Sequence, residues 1–237
     1  LIQRSTRHLT DPHDQERVKR LLVQHTSTFS APKKDGKLRF CVDYRELNEK
    51  TIKDSWPLPN ITDTLERMAG KEWYSTFDMA SGYWQIAMSP EDKEKTAFVT
   101  PHGQYQFKVL PFGLTNSPAT FSRLVAKVMQ GVSADRASAY LDDVITAEDG
   151  VDNMLARIDD VLQRFAAVGL KFKPDKCNLF RHSVPFLGHI LSKKGISTDP
   201  AKLEVIQKWQ TPTSITEIQK FHGYAQYYRR YIRHFSD

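Results

Sequence analysis

Two adjacent aspartates interrupt an apolar segment, and no other feature constrains the fold of this chain as strongly. Residues 140–143 (YLDD) run directly into Val144 and Ile145. Carboxylates are unfavourable inside an apolar segment unless a cation balances them. On a regular strand the two side chains would point to opposite faces, whereas at a tight hairpin both can converge on one point. We therefore predict a hairpin over residues 140–145.

A third carboxylate, Asp78, ends a second apolar segment. Residues 73–78 (WYSTFD) are mostly aromatic or β-branched, which predicts a buried strand. If the two strands are neighbours, Asp78, Asp142 and Asp143 form a cluster of oxygen ligands suited to Mg²⁺. Such a cluster can hold two ions about 3.5–4 Å apart for in-line phosphoryl transfer. Acidic pairs at hairpin turns are usually only solvated, and these residues alone leave that alternative open.

The remaining pattern predicts an α+β fold, with a few strands packed on long helices. A turn at residues 33–37 (KKDGK) leads into a strand predicted over residues 38–44. After Gly195 the pattern changes, and two further helices predicted there are interpreted as a separate small subdomain. Helical spacing or capping signals lie near residues 18–25, 61–68, 117–131, 151–169, 199–200 and 214–217.

Composition permits a nucleic-acid partner without establishing one. The formal net charge of the 237 residues is +6, a mild excess that weakly supports a polyanionic partner. No apolar stretch reaches the roughly 18 residues of a membrane span, so no membrane partner is expected. Cys41 and Cys177 form no C-x-x-C pair, which argues against a zinc site or a disulfide framework. Because the chain begins with Leu1, we expect it to be a piece of a longer protein.

An ordered series of motifs resembles the reverse transcriptases of gypsy-type LTR retrotransposons. The similarity runs from about Lys33 to the C-terminus, where residues 221–224 and 227–232 also resemble this family. The motifs are residues 42–48 (VDYRELN), 57–59 (PLP), 77–86 (FDMASGYWQI), 95–98 (KTAF), 110–121 (LPFGLTNSPATF), 140–143 (YLDD) and 186–189 (FLGH).

The resemblance implies a right-hand polymerase with fingers, a palm and a partial helical thumb. The expected fingers cover residues 1–72, the palm covers residues 73–190 with an interleaved fingers segment around 88–115, and thumb or connection helices cover residues 191–237. The implied activity is RNA-directed DNA polymerisation, in which dNTPs are added to a primer 3′-hydroxyl on an RNA or DNA template. Two Mg²⁺ ions, with Mn²⁺ as a substitute, would bind Asp78 and Asp142, with Asp143 supporting.

The motifs also imply contacts with the incoming nucleotide. Tyr83 would exclude a 2′-hydroxyl, the group that separates ribo- from deoxynucleotides. Basic side chains would grip the triphosphate, and a glycine would allow close backbone approach. Taken alone, the aromatic residues could equally be core, and the basic residues could be a solvated turn. The implied nucleotide contacts are Lys33, Lys34, Arg39, Tyr83, Phe112 and Gly113.

Two further groups are expected near the template–primer duplex. Phe186, Leu187, Gly188 and His189 match the hairpin that holds the primer end, although His189 by itself would more often be an ordinary surface residue. The second group would either hold phosphates and sugars of the duplex or pack against the rest of the thumb. Its members are Tyr227, Tyr228, Tyr231, Arg229, Arg230 and Arg233.

One segment departs from the family pattern and keeps other functions open. Residues 30–32 run straight into Lys33, where family members usually carry several more apolar residues, so one fingers strand would be shortened. A degenerate, non-catalytic fragment that still binds nucleic acid is therefore the alternative. A polyprotein assembly module is a third hypothesis. RNase H and integrase regions of the same polyprotein are expected partners, and a cytoplasmic virus-like particle is the expected location.

Overall fold

A computed structural model describes residues 29–30, 39–79 and 81–235 of the chain. Contacts divide the described residues into two compact units. One contains those within Leu1–Pro57 and Ser81–Leu124, and the other contains those within Leu58–Ala80 and Val125–Asp237. In the described part of the chain, no helix is long and apolar enough to span a bilayer.

Short to medium-length helices are interspersed with short strands. The strands are β1 (Phe29–Ser30), β2 (Arg39–Phe40), β3 (Trp73–Asp78), β4 (Phe98–Thr100), β5 (Gly103–Tyr105), β6 (Ala137–Tyr140), β7 (Asp143–Glu148), β8 (Asn178–Arg181), β9 (Ser183–Phe186), β10 (His189–Ser192) and β11 (Gly195–Thr198). The α-helices are α1 (Arg45–Lys50), α2 (Ile61–Met68), α3 (Ser117–Val128), α4 (Val151–Ala167), α5 (Pro200–Gln207) and α6 (Ile215–Tyr227). Turns of 3₁₀-helix cover Gly82–Gln85, Pro90–Asp92, Glu94–Thr96, Pro174–Lys176 and Arg229–Tyr231.

The first unit contains two antiparallel strand pairs, β1 with β2 and β4 with β5, together with α1. Tyr44 is buried in this unit and donates its hydroxyl hydrogen to the backbone carbonyl of Thr96 at 3.0 Å. The Asn48 amide donates to the Gly113 carbonyl at 2.8 Å, and the Thr115 N–H donates to the Asn48 side chain at 2.8 Å. These bonds hold the loop before α3 against α1.

The second unit is built on a four-stranded antiparallel sheet in the order β6-β7-β3-β8. Strands β3 and β7 pair without interruption from Trp73↔Glu148 to Asp78↔Asp143. A second sheet has the order β11-β10-β9. Along β3, alternation places Tyr74 and Thr76 on one face and Ser75 and Phe77 on the other.

Both faces of the four-stranded sheet are covered. On one face, α4 buries Met154, Ile158, Val161 and Phe165 against the sheet, because its apolar residues recur at helical spacing. On the other face, α2 and the three-stranded sheet complete a core whose members are Leu65, Met68, Tyr74, Ile145, Ala147, Val184, Phe186 and Leu191. Because both faces are buried, the apolar side chains of each strand determine which of its residues face α4 and which face α2.

A buried ion network lies at the far end of β7. Glu148 is 2% exposed, and its carboxylate accepts hydrogen bonds from the guanidinium groups of Arg136 and Arg157. Arg157 also pairs with Asp160 at 3.1 Å. A buried carboxylate is tolerated only when it is paired in this way. The network therefore fixes the end of the ladder opposite Asp78.

Most predicted elements are confirmed. The helices predicted near 61–68, 117–131, 151–169, 199–200 and 214–217 correspond to α2, α3, α4, α5 and α6. The strand ending at Asp78 and the hairpin over 140–145 are also present. The strand predicted over 38–44 was too long: among its described residues, 39–44, only Arg39 and Phe40 pair, and Tyr44 instead turns inward to bond Thr96. The helix near 18–25 and the turn at 33–37 lie outside the described residues.

We predict that Glu148→Gln lowers the free energy of unfolding by about 1–3 kcal/mol, because it weakens charge-assisted hydrogen bonds inside the protein. Denaturant titration followed by circular dichroism measures the change. The matched control is Glu204→Gln, since Glu204 pairs with Lys208 at the surface, where such pairs contribute little. Equal stability of both variants would show that the Glu148 network does not support the sheet.

Candidate active site

Two of the predicted carboxylates face each other across the central strands. Asp78 is the last residue of β3 and Asp143 is the first residue of β7, and they are direct partners in the antiparallel ladder. Alternation along β3 places Asp78 on the same face as Tyr74 and Thr76. The apolar pattern of the two strands thus delivers both carboxylates to one end and one face of the sheet.

Asp142 lies in the turn between β6 and β7. Tyr140 pairs with Asp143, so Leu141 and Asp142 form a two-residue loop, and Leu141 adopts a left-handed φ of 52°. The Asp142 carbonyl accepts a hydrogen bond from the Met79 N–H at 2.9 Å. This bond ties the turn to the residue that follows Asp78. The three aspartates therefore belong to adjoining chain segments, and Asp142 is half-buried there.

Sequence reasoning missed a fourth charged residue at this site. The Lys176 ammonium donates to the Asp78 carboxylate at 2.8 Å, and the Lys173 N–H donates to the Asp78 carbonyl at 2.8 Å. The hydrogen bond to Asp78 raises the pKa of Lys176. The only sequence signal was a basic Lys-Pro-Asp-Lys turn at residues 173–176, which resembles an ordinary solvated loop.

The electrostatics of the site disfavour a second negative charge beside Asp78. Asp143 keeps exposed surface, yet protein atoms crowd its carboxyl, and this partial loss of hydration raises the pKa of Asp143. The charge of Asp78 raises the pKa further, whereas the Lys176 ammonium lowers it. The site thus carries more negative charge than one lysine balances.

A small cavity connects the carboxylates to the predicted primer-holding residues. Its volume is about 220 Å³, and Asp78, Asp143 and Lys176 form part of its wall. Phe186, Leu187 and Gly188, at the turn between β9 and β10, also line it. The structure therefore brings together five of the sequence-predicted residues: Asp78, Asp143, Phe186, Leu187 and Gly188.

The donor set fits a hard divalent cation in its chemistry. Carboxylate oxygens are the ligands that Mg²⁺ prefers. The charge of Asp78 raises the pKa of Asp143, and a bound cation would relieve this repulsion between the two carboxylates. Within the described ranges, no group of three or more His, Cys, Asp or Glu side chains lies close enough to hold a metal ion. The three-carboxylate metal site therefore stays a prediction.

Three of the residues predicted to contact the nucleotide, Tyr83, Phe112 and Gly113, lie within the first unit. The ring of Tyr83 lies 5.4 Å from the rings of Phe112 and Phe121, in the 3₁₀ turn that follows Ser81. Gly113 has a φ of 97°, and a side-chain carbon there would lie 3.5 Å from the Tyr44 ring. Its left-handed backbone thus favours glycine.

The remaining residues predicted to contact the nucleotide are basic. Arg39 contributes backbone to β2, and Lys33 and Lys34 lie outside the described residues.

His189 is buried, contrary to the expectation for an isolated histidine. It is the first residue of β10, is 3% exposed, and pairs directly with Phe186 of β9. Its ring centroid lies 5.4–5.7 Å from those of three tyrosines, Tyr227, Tyr228 and Tyr231. The motif residue His189 and the C-terminal aromatic group therefore form one cluster.

Comparison with known proteins finds relatives among retrotransposon polyproteins. The retrovirus-related Pol polyproteins from transposon 412 and transposon gypsy of Drosophila melanogaster are each 36% identical, over 217 and 211 residues. These alignments cover 92% and 89% of this chain, but 17% and 20% of the relatives. The chain thus spans about a fifth of the length of the curated relatives it matches. The predicted resemblance to gypsy-type elements is confirmed.

Solved structures of a viral enzyme have a similar fold. The foamy viral protease-reverse transcriptase dRH in complex with double-stranded DNA aligns with a TM-score of 0.82 and 25% identity, covering 95% of this chain and 41% of that chain. The foamy viral protease-reverse transcriptase in complex with an RNA/DNA hybrid aligns with a TM-score of 0.75 and 25% identity, covering 84% and 27%. These alignments confirm the predicted α+β, polymerase-type fold class.

The family model for reverse transcriptase (RNA-dependent DNA polymerase) matches residues 31–191, which is more than half of the chain. The match spans Asp78, the hairpin at 140–143 and the turn at 186–188. This chain therefore belongs to the reverse transcriptase (RNA-dependent DNA polymerase) family, as a reverse transcriptase domain of the retrotransposon Pol type.

Proposed function

We propose that this chain is the polymerase core that adds dNTPs to a primer 3′-hydroxyl on an RNA or DNA template. One observation carries the proposal: Asp78 and Asp143 share a cavity with the turn at residues 186–188. Paired carboxylates suit a reaction centre for phosphoryl transfer, and the adjoining hairpin suits a support for the primer end. Membership of the family supplies the reaction class.

We assign Asp78 and Asp142 as the main ligands of two Mg²⁺ ions, with Mn²⁺ as a substitute and Asp143 in a supporting role. When bound, such ions stabilise charge on the transferred phosphoryl group and activate the attacking hydroxyl. The β3–β7 ladder holds the carboxylates of Asp78 and Asp143 at one end of the sheet. Lys176 offsets part of their repulsion and orients the Asp78 carboxylate.

We assign nucleotide binding to residues of the first unit. Tyr83 is held by Phe112 and Phe121, and a ring fixed in this way can exclude a 2′-hydroxyl by its bulk. Phe112 and Gly113 pack against the nucleotide in this proposal. Lys33, Lys34 and Arg39 grip the triphosphate, a role that suits a guanidinium fork with neighbouring ammonium groups.

The proposed partners are a template–primer duplex and dNTPs. Foamy viral protease-reverse transcriptase has been solved with double-stranded DNA and with an RNA/DNA hybrid, and the net charge of +6 here suits such ligands. We also propose RNase H and integrase regions of one polyprotein as partners within a cytoplasmic particle. The division into fingers (1–72), palm (73–190, with fingers around 88–115) and thumb (191–237) belongs to the same proposal.

We predict that Asp142→Asn lowers primer extension with Mg²⁺ by at least about a hundredfold, because a lost ligand removes several kcal/mol of transition-state stabilisation. Incorporation of labelled dNTP on RNA and DNA templates measures this. Asp159→Asn is the matched control, since Asp159 is exposed on α4 and should retain parental activity. Parental activity in Asp142→Asn would remove the metal assignment.

The same assay separates catalysis from simple binding. A parent chain that binds a template–primer duplex with strong salt dependence, yet incorporates no dNTP, would support the non-catalytic alternative. A parent that neither incorporates dNTP nor binds duplex, but self-associates, would support the assembly module.

We predict that Asp143→Asn stabilises the metal-free protein at pH 7. Because the folded state raises the pKa of Asp143, its ionised form is less favourable folded than unfolded, and neutralising it removes that cost. The gain should shrink as the pH falls through the folded pKa towards the ordinary range of aspartate, where the parent is itself protonated. Thermal melts from pH 4 to pH 7 measure it, with Asp159→Asn as control. A lower melting temperature for Asp143→Asn at pH 7 would contradict the charge balance described above.

We predict that Tyr83→Val increases ribonucleotide incorporation relative to deoxynucleotide incorporation by at least about tenfold, because it opens space beside the sugar. The ratio of kcat/KM for the two nucleotides measures this. Tyr83→Phe is the control, since its ring still packs on Phe112 and Phe121. An unchanged ratio in Tyr83→Val would remove the assignment.

A further inference from the structure

The turn between β9 and β10 has a constrained backbone. Phe186 pairs with His189, so Leu187 and Gly188 form a two-residue loop. Their φ angles are 44° and 72°, the left-handed values that a type I′ hairpin turn requires at both positions. Glycine adopts this conformation freely, whereas leucine is held there only when its surroundings impose it. Something beyond the turn must therefore stabilise it.

Two consecutive tyrosines supply that support. The hydroxyl of Tyr227, the last residue of α6, donates to the Leu187 carbonyl at 2.6 Å. The hydroxyl of Tyr228, the next residue, donates to the Gly188 carbonyl at 3.1 Å. Burial raises the pKa of Tyr228 to about 12, so its hydroxyl remains a donor at neutral pH. Both carbonyls of the turn are thus bonded to one helix end, and we call Tyr227 and Tyr228 the tyrosine clamp.

His189 contacts both the turn and the tyrosine clamp. Its Nδ1 lies 2.9 Å from the Leu187 carbonyl, which also accepts from Tyr227. Because a carbonyl can only accept, Nδ1 carries the hydrogen of this bond. The buried imidazole also lies against the rings of Tyr227 and Tyr228. His189 therefore packs against both clamp rings and also hydrogen-bonds the Leu187 carbonyl.

Gly188 fits closely beneath the clamp. A side-chain carbon at this position would lie 2.9 Å from the Tyr228 hydroxyl oxygen and 3.5 Å from Cε1 of Tyr227. The first distance is shorter than side-chain carbons tolerate, so any larger residue would push the clamp away. The tyrosine clamp and the glycine are matched in shape.

We propose that Tyr227 and Tyr228 are positioning residues, which fix the turn at 186–188 and thereby set where the primer 3′ end lies beside the carboxylates. The inference rests on the proposed function, since it assigns the turn to the primer. Phe186, Leu187 and Gly188 line the cavity that contains Asp78 and Asp143, so a shift of the turn changes that cavity directly. The last residue of α6 and the residue after it thus act on the proposed reaction centre through two hydroxyl groups.

The first test of the clamp needs no catalysis. In the double variant Tyr227→Phe/Tyr228→Phe, amide hydrogen exchange should rise about tenfold in peptides covering β9 and β10, while peptides covering β3 and β7 exchange as in the parent. The control is Tyr224→Phe, which removes an α6 hydroxyl that bonds the Lys202 carbonyl instead. Parental exchange in β9 and β10 of the double variant would overturn the inference.

The second test measures primer positioning in single-turnover incorporation. The double variant should lose about tenfold in the incorporation rate at saturating dNTP, with the dNTP concentration for half-maximal rate within about twofold of the parent. Active-site titration measures the fraction of active protein, so a smaller folded fraction alone would not lower this rate. An unchanged rate despite a loosened hairpin would overturn the positioning role.

A double-mutant cycle tests the contact between Gly188 and the clamp. Gly188→Ala should slow incorporation more in the parent than in Tyr228→Phe, because removing the hydroxyl relieves the clash. Equal losses in both backgrounds would show that the two residues act independently. If the parent incorporates no dNTP, the proposed function is refuted. Hydrogen exchange would still decide separately whether the clamp holds the turn.

Discussion

The site depends on the register of β3 against β7. This register places Asp78 opposite Asp143, and a slip of one residue would turn each side chain to the other face of the sheet. Two like charges facing each other are unfavourable, so the arrangement persists because apolar burial along both strands outweighs their repulsion. Lys176 balances part of the charge at this end. Glu148, held by two arginines, fixes the opposite end.

Much of this fold was predictable, because local patterns determined it. The apolar residues of β3 and the interrupted hairpin at β6 and β7 were clear from their order along the chain. Their mutual register was not, since strand pairing across a long loop depends on tertiary packing. Tyr44 shows the same limit. Its position in an alternating segment predicted a strand, but its hydroxyl bonds Thr96, and the chain turns inward instead.

The sequence predicted the acidic residues of the site but not its lysine. Asp78 and Asp143 stand out because a carboxylate at the end of an apolar strand needs a physical reason. Lys176 has no such signal, since a lysine in a Pro-containing turn is usually solvated. The tyrosine clamp was predicted only as a group with two alternative roles. That its hydroxyls bond consecutive carbonyls of the turn depends on the three-dimensional fold, which brings α6 to the β9–β10 hairpin.

Divalent-cation binding tests the central claim most directly, without requiring turnover. Electron paramagnetic resonance can count Mn²⁺ ions bound to the chain in the presence of template–primer and a dNTP. We predict two bound ions per chain for the parent, and loss of binding in Asp78→Asn and Asp142→Asn but not in Asp159→Asn. Parental Mn²⁺ binding by both active-site variants would contradict the account, because the ions would then be held elsewhere.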